Sequence, residues 1–425
     1  MRGEILAIGD ELLAGRVVNT TSSLAAERLL ASGHTVTRIT TVGDDPAAIT
    51  ECLRGALRRA EFLLVSGGLG PTSDDITNEV VAQALGRPLV CYPDVLDRIR
   101  ESEAEGGGPI GEKMAWLPEG AEVLNPEGRA AGYVLEHAGV PIFFLPGVPD
   151  QLEDHLVHRV LPRLARLDHR RLHVRSRTFR LFGLSETEVN GRLRDRERED
   201  PHLSIGYYPN FPEVFVVVTA QGHDAADVAR RFGDLCDAVT SLFGEFIVGI
   251  DEETLEARVG RLLSERGGRV AVAESCTGGL LASRITRVPG SSGWFDRGIV
   301  AYSNAAKVAH LGVAPATLER FGAVSAPVAG EMAEGVRRAA GTGYGLGITG
   351  IAGPTGGSRH KPVGTVYISL STPEKTAAHR FAFPGTRGEI QALAAEAALD
   401  WLRRHLEHGS YVPGHRFAAG PAEGA

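Results

Sequence analysis

The chain has 425 residues, 43% of them hydrophobic and 23% charged, with a formal net charge of -8. That length exceeds one ordinary core and predicts two or three domains. The acidic balance argues against a general nucleic-acid binder, which carries a basic field.

Cys52, Cys91, Cys236 and Cys276 are scattered and form no CxxC pair. They fit a reducing cytoplasm and argue against structural zinc. The apolar run Ile5–Ile8 after Met1 is too short for a signal-peptide core or a membrane span, so a cytoplasmic protein without a membrane partner is expected.

In chain order, the first region covers residues 1–168. Ile5–Ile8 reads as a strand, Ser23–Ala31 as a helix, Thr35–Thr41 as a strand and Ala47–Arg59 as a helix. Phe62–Val65 is a continuous apolar run, the mark of a strand buried on both faces. Pro141–Leu145 adds a strand and Gln151–Leu167 a helix. This alternation predicts βαβ units with helices on both sheet faces. Residues 101–132, rich in Glu, Gly and Pro, are expected to form an excursion or lid.

A charged run, Asp168-His169-Arg170-Arg171, marks a linker. Residues 172–250 read as a small α/β spacer or assembly domain, with strands at His173–Phe179 and Val214–Thr219 and helices at Glu186–Arg194 and Ala225–Phe243. The third region, 251–408, opens with a helix at Glu252–Arg266 and a strand at Arg269–Ala273. Further strands are expected at Gly298–Tyr302, Tyr344–Ile348, Val363–Leu370 and His379–Phe383, and helices near Pro327–Ala340 and Gly388–His405. The tail 409–425, rich in Gly, Pro and Ala, is expected to be disordered. The fold class is α/β throughout.

The strand at Arg269–Ala273 delivers Glu274-Ser275-Cys276-Thr277-Gly278-Gly279, and Lys307 follows 32 residues after Ser275. Serine needs a base to become a nucleophile, and lysine serves as that base in known Ser-Lys variants. Its pKa must then fall from about 10.4 to about 7 to 8, which needs burial. Lys307 sits among Ala305, Ala306, Val308 and Ala309, as such a setting requires. Tyr302 is a candidate to hydrogen-bond Ser275 or Lys307, and Gly278 and Gly279 are candidates to turn their amides toward an oxyanion. Two other readings stay open: Cys276 as the nucleophile, and Ser275 and Thr277 as helix caps with Lys307 on the surface. A second glycine-rich stretch, 347–357, follows a strand; Thr349 and nearby amides there, and Arg387, are candidate ligand contacts.

Together, Ala-Glu-Ser-Cys-Thr-Gly-Gly at 273–279, Pro-Gly-Ser-Ser at 289–292, Tyr-Ser-Asn-x-x-Lys at 302–307, Gly-Ala-Val-Ser at 322–325, Thr-Gly-Ile-Ala-Gly-Pro at 349–354 and Lys-Pro-Val-Gly-Thr-Val at 361–366 make the chain resemble the full-length competence/damage-inducible CinA family. The resemblance implies a C-terminal CinA amidase domain. That domain would convert nicotinamide mononucleotide to nicotinate mononucleotide and ammonia without a cofactor, for pyridine nucleotide recycling. It implies Ser275 as nucleophile, Lys307 as base and Tyr302 as supporting hydroxyl, with Thr349, Gly350 and Arg387 at ligand-binding positions. A homodimer is also implied.

Near the N-terminus, Ser66-Gly67-Gly68-Leu69-Gly70-Pro71-Thr72 follows a buried strand and precedes Asp74-Asp75. Glycine amides suit phosphate, and Asp10, Glu11, Asp74 and Asp75 suit a divalent ion. Asp44 also follows a predicted strand, on the edge where α/β proteins place ligands. With Gly9-Asp10-Glu11-Leu12-Leu13-x-Gly15, Val42-Gly43-Asp44-Asp45 and Leu145-Pro146-Gly147-Val148-Pro149, this region is similar to the molybdopterin-binding fold. In CinA proteins that resemblance implies metal-dependent hydrolysis of ADP-ribose. The pattern departs from the family at Asn19-Thr20-Thr21, at 125–132 (Asn-Pro-Glu-Gly-Arg-Ala-Ala-Gly) and at Gln151. A contrasting expectation is a non-catalytic nucleotide sensor or assembly protein linked to competence or DNA damage.

Overall fold

The computed structural model describes residues 1–102, 111–125, 132–168, 172–412 and 416–421. The chain divides into two compact units, Met1–Arg175 with Ala220–Arg231, and Ser176–Thr219 with Phe232–Ala425.

In the first unit a six-stranded sheet runs in the order Thr35–Val42, Arg2–Ile8, Phe62–Ser66, Val140–Leu145, Tyr133–His137, Glu122–Val123. The first four strands are parallel, and the last two join antiparallel. Successive side chains of a strand point to opposite faces, and both faces here are apolar. Leu6, Ile8, Leu63, Val65, Ile142 and Phe144 belong to one core cluster, while Ile5, Phe62, Leu64, Phe143 and Leu145 belong to another. Helices Pro46–Leu57 and Thr77–Leu85 cover the first face; Thr20–Ala31 and the helical run from Pro149 to Leu167 cover the second. This is the doubly covered sheet expected from the alternation.

Of the excursion at 101–132, residues 103–110 and 126–131 lie outside the described residues, as do 169–171 of the linker. The described part adds a short antiparallel pair, Leu89–Cys91 with Trp116–Pro118.

Residues 172–250 supply a four-stranded sheet ordered Leu203–Asn210, Glu213–Gly222, His173–Leu181, Ile247–Ile250, with helices Glu186–Glu199 and Ala225–Phe243. Two of its strands were not expected. Leu203–Asn210 carries a Gly and a Pro in eight residues, and Ile247–Ile250 is only four residues long, so neither shows a readable period.

The C-terminal sheet runs Phe295–Val300, Val270–Glu274, Tyr344–Gly350, Thr365–Ser371, Thr376–Ala382, Ala418–Pro421. The first three strands are parallel and the rest antiparallel. Val270 and Val272 face a large core shared with Leu255–Glu265, Leu280–Thr286 and Arg387–His408; Ala271 and Ala273 face a smaller one with Ala326–Ala340. Glycine lets that last helix lie close, since a Cβ at Gly347 would meet the Ala329 carbonyl oxygen at 2.4 Å.

The tail departs from its expected disorder. Ala418–Pro421 pairs with Thr376–Ala382, and Phe417 packs on the core, with ring centroids 5.5 Å from Phe383 and 6.0 Å from Phe182. One aromatic anchor offsets a composition that otherwise predicts no order. Residues 413–415 and 422–425 lie outside the described residues.

Candidate functional site

The C-terminal site is built where the parallel strands end. Val270–Glu274 stops at Glu274, and the Ser275 amide donates to the Ile348 carbonyl of the next strand at 3.0 Å. Ser275 therefore sits at the carboxyl edge, where open α/β sheets place ligands. Lys307 arrives on the helix Asn304–Leu311, started by the Ser303 side chain accepting from the Ala306 amide at 3.1 Å. The sequence reading missed this helix, although Ser303 is a strong N-cap signal.

Lys307 is 1% exposed, and its Nζ lies 3.0 Å from Ser275 Oγ, 2.9 Å from the Ala301 carbonyl oxygen and 3.5 Å from the Tyr302 carbonyl oxygen. Among the described residues it forms no ion pair with a carboxylate. Burial lowers its pKa below the ordinary lysine value, because desolvation penalises the charged form. Three polar partners surround the amine: an ammonium would donate to all three, and a neutral amine would donate to the two carbonyls and accept from the Ser275 hydroxyl.

Other expected residues take different roles. The Tyr302 hydroxyl accepts from Arg387 at 2.8 Å, so Tyr302 meets Lys307 through its backbone carbonyl rather than its ring oxygen. The Gly278 amide donates to the Ser275 carbonyl at 3.1 Å and the Gly279 amide to the Glu274 carboxylate at 3.0 Å. Neither amide is therefore free for an oxyanion, which corrects that expectation. Their left-handed φ values of +63° and +98° serve the sharp turn instead. Ser275 and Thr277 do not cap the following helix, whose N-cap is Gly279. Burial pushes the Cys276 thiol up to about 12, so it remains protonated and is a poor alternative nucleophile.

A cavity of about 280 Å³ opens beside Ser275 and Lys307, with Tyr302, Thr349, Gly350 and Arg387 also on its walls. The Thr349 hydroxyl donates to the Ala323 carbonyl at 2.8 Å, so it holds the 322–325 loop and retains only acceptor capacity for a ligand. Arg387, first residue of the helix Arg387–His408, donates to the Gly353 carbonyl at 2.7 Å as well as to Tyr302. The cavity also receives Asn304, Ala323, Val324 and Thr355, which the sequence reading did not single out as site residues.

The N-terminal unit holds a cavity of about 440 Å³. Gly67, Gly68 and Gly70 line it, as do Asp44, Pro146 and Gly147. Glu11, Asp74 and Asp75 are on its wall, whereas Asp10 and Thr72 are not among the lining residues. Asp10 and Asp44 exchange bonds: the Asp10 amide donates to Asp44 Oδ2 at 2.9 Å, and the Asp44 amide to Asp10 Oδ1 at 3.1 Å. Asp75 accepts from the Thr72 amide at 2.9 Å. Among the described residues no group of three or more His, Cys, Asp or Glu is arranged to hold a metal ion. The four expected ligands are thus not a preformed set, because two serve the loop turns. Burial raises the Asp44 pKa, and the nearby Asp10, Glu11 and Asp74 charges add to it.

All four cysteines are free. No helix among the described residues is long and apolar enough to cross a membrane.

Comparison with known proteins follows the same division. Residues 4–166 match the probable molybdopterin binding domain, 176–249 the damage-inducible protein CinA KH domain and 252–406 the CinA C-terminal domain. Within 176–249 no Gly-x-x-Gly occurs, the loop by which KH domains clamp nucleotide backbones. A CinA-like protein of Desulfotalea psychrophila is 46% identical over 95% of this chain and 98% of its own length. One from Geobacter metallireducens is 42% identical over 96% and 99%. A crystal structure of the competence/damage inducible protein CihA from Agrobacterium tumefaciens is 39% identical, covering 36% of this chain and 93% of that one, at a TM-score of 0.35. The chain belongs to the CinA family of competence/damage-inducible proteins.

Proposed function

We propose that the C-terminal domain is an amidohydrolase that converts nicotinamide mononucleotide to nicotinate mononucleotide and ammonia. The observation that carries this reading is the buried approach of Lys307 Nζ to Ser275 Oγ at 3.0 Å, with the remaining amine contacts on backbone carbonyls. Neutral Lys307 takes the hydroxyl proton as Ser275 Oγ attacks the carboxamide carbon. The C–N bond then breaks, and the proton held by Lys307 passes to the departing nitrogen, giving ammonia. Water next adds to the acyl-Ser275 ester, giving its proton to Lys307, which returns it to Ser275 Oγ as the acid leaves. Arg387, beside the cavity, supplies charge complementary to a nucleotide phosphate. No cofactor is required by these steps.

A Lys307 buried out of reach of Ser275 would favour the non-catalytic sensor reading; the 3.0 Å contact supports the enzyme reading instead. The test is product formation from nicotinamide mononucleotide in the presence of a chelator. Equimolar ammonia and nicotinate mononucleotide are expected, and the absence of both would overturn the reading.

A second reading concerns the N-terminal unit, favoured by the glycine-lined cavity with carboxylates on one wall. It binds a nucleotide diphosphate such as ADP-ribose and hydrolyses it with a divalent ion. The ion would enter bound to the diphosphate, whose charge it would neutralise, and a single wall carboxylate, Glu11, Asp44 or Asp74, would add to its shell. Assays with ADP-ribose and divalent metal test it, and no turnover would count against it. A cytoplasmic homodimer without direct nucleic-acid binding completes the proposal.

A further inference from the structure

The turn that carries Ser275 is wrapped around a carboxylate that the proposed chemistry does not use. Glu274 is wholly buried. Its Oε2 accepts from the Gly279 amide at 3.0 Å and the Leu281 amide at 3.1 Å, and its Oε1 from the Ala282 amide at 2.8 Å. Those donors lie at the start of the helix Leu280–Thr286, where amides have no partner within the helix. Among the described residues Glu274 has no cationic partner, so these three N–H groups compensate its burial.

The other end of the turn is pinned by a different element. Gln391, on the helix Arg387–His408, donates from Nε2 to the Cys276 carbonyl at 2.7 Å. Ser275 is therefore flanked by two fixed neighbours: residue 274 through its side chain and residue 276 through its carbonyl. Its own amide is held by Ile348. Gln391 touches no reacting atom, and Glu274 faces the helix start.

We propose that Glu274 and Gln391 are positioning residues that hold the 275–279 turn so that Ser275 Oγ stays within proton-transfer reach of Lys307 Nζ. The proposal rests on the reading of Ser275 as nucleophile. Its physical basis is the steep cost of misplacement, since an error of about 1 Å at a reacting group costs on the order of 100-fold in rate. Glu274→Gln keeps the shape but sets an NH2 group against a backbone N–H, so the helix start must shift. Gln391→Leu removes the carbonyl's partner while keeping much of the side-chain volume.

The test labels the full-length protein with a serine-directed fluorophosphonate, which reports Ser275 reactivity without any nucleotide. Ammonia release from nicotinamide mononucleotide is measured alongside. Glu331→Gln is the comparison variant, because Glu331 holds another helix start through the Ala314 amide at 2.8 Å and the Thr317 hydroxyl at 2.6 Å, away from the cavity. Glu274→Gln and Gln391→Leu should each slow labelling and kcat by about 10- to 100-fold, with KM within about 3-fold of wild type. Glu331→Gln should label at the wild-type rate even where its melting temperature falls.

Wild-type labelling at Ser275 with unchanged rates in both site variants would overturn the positioning role alone. An equal loss in Glu331→Gln would also overturn it, as a general effect of destabilisation. Should Glu274→Gln fail to fold, Gln391→Leu decides. Absence of Ser275 labelling in the wild type would overturn the nucleophile reading and this proposal with it.

Discussion

The two glycine-rich sites of this chain hold their polar groups in different ways. At the C-terminal site a strand end and a capped helix bring Ser275 and Lys307 within 3.0 Å, and burial tunes the lysine before any ligand arrives. At the N-terminal site the carboxylates stand on turns, and Asp10 and Asp75 already accept bonds from neighbouring loop amides. The first arrangement is preorganised by the sheet and its helices. The second is a carboxylate-bearing wall whose acidic groups are not gathered into a preformed set. A glycine-rich loop after a strand therefore marks a place for a ligand without fixing how ready the site is.

The contrast is broken most sharply at Ser275. Ser275→Ala should lower amidase kcat by at least about 100-fold while leaving the melting temperature close to wild type, since it removes the covalent group and little else. Near-normal turnover in a folded variant would end the serine assignment.

Thermal shifts sharpen the other half of the comparison. Magnesium alone should leave the melting temperature nearly unchanged. Magnesium with ADP-ribose at about 100 times its Kd should add about 2.7 kcal/mol to the N-terminal unit and raise its transition by several degrees. A comparable shift with the metal alone would mean that the ligand set is preformed after all.

The smallest effect lies away from both sites. Glu396 is wholly buried against Arg284, near Glu213 and Glu256, and burial pushes its carboxyl up to about 8. An acid whose pKa is raised by folding favours the folded state fully below its unfolded pKa, about 4.3, and loses that advantage as pH rises through its folded value. Wild-type stability should therefore decline between about pH 5 and 8 from this group. Glu396→Gln should flatten that part of the calorimetric profile, and an identical slope in both proteins would refute the assignment.

Much of the frame was legible in the sequence. Phe62–Val65 announced a strand covered on both faces, and Ser275 fell at a strand end as its surroundings implied. The motifs brought Ser275, Lys307, Tyr302, Thr349 and Arg387 to one cavity. Contacts that depend on three-dimensional packing were not legible. Nothing local in the sequence says that the Tyr302 hydroxyl meets Arg387, 85 residues on, or that Glu274 claims the Gly279 amide. The strand at Ala418–Pro421 was hidden for a similar reason: its order comes from Phe417 docking on a distant core, against a local composition that favours disorder.

The pH dependence of amidase kcat/KM, in wild type and Lys307→Ala, tests the central claim most directly. Burial lowers the Lys307 pKa, and in the proposed mechanism the neutral amine is the active form. Wild-type kcat/KM should therefore rise with pH through an inflection below the ordinary lysine value of about 10.4. In Lys307→Ala, followed at high enzyme concentration, the rate should be far lower and that inflection gone. The same inflection in both proteins would contradict the account and assign the base to another group.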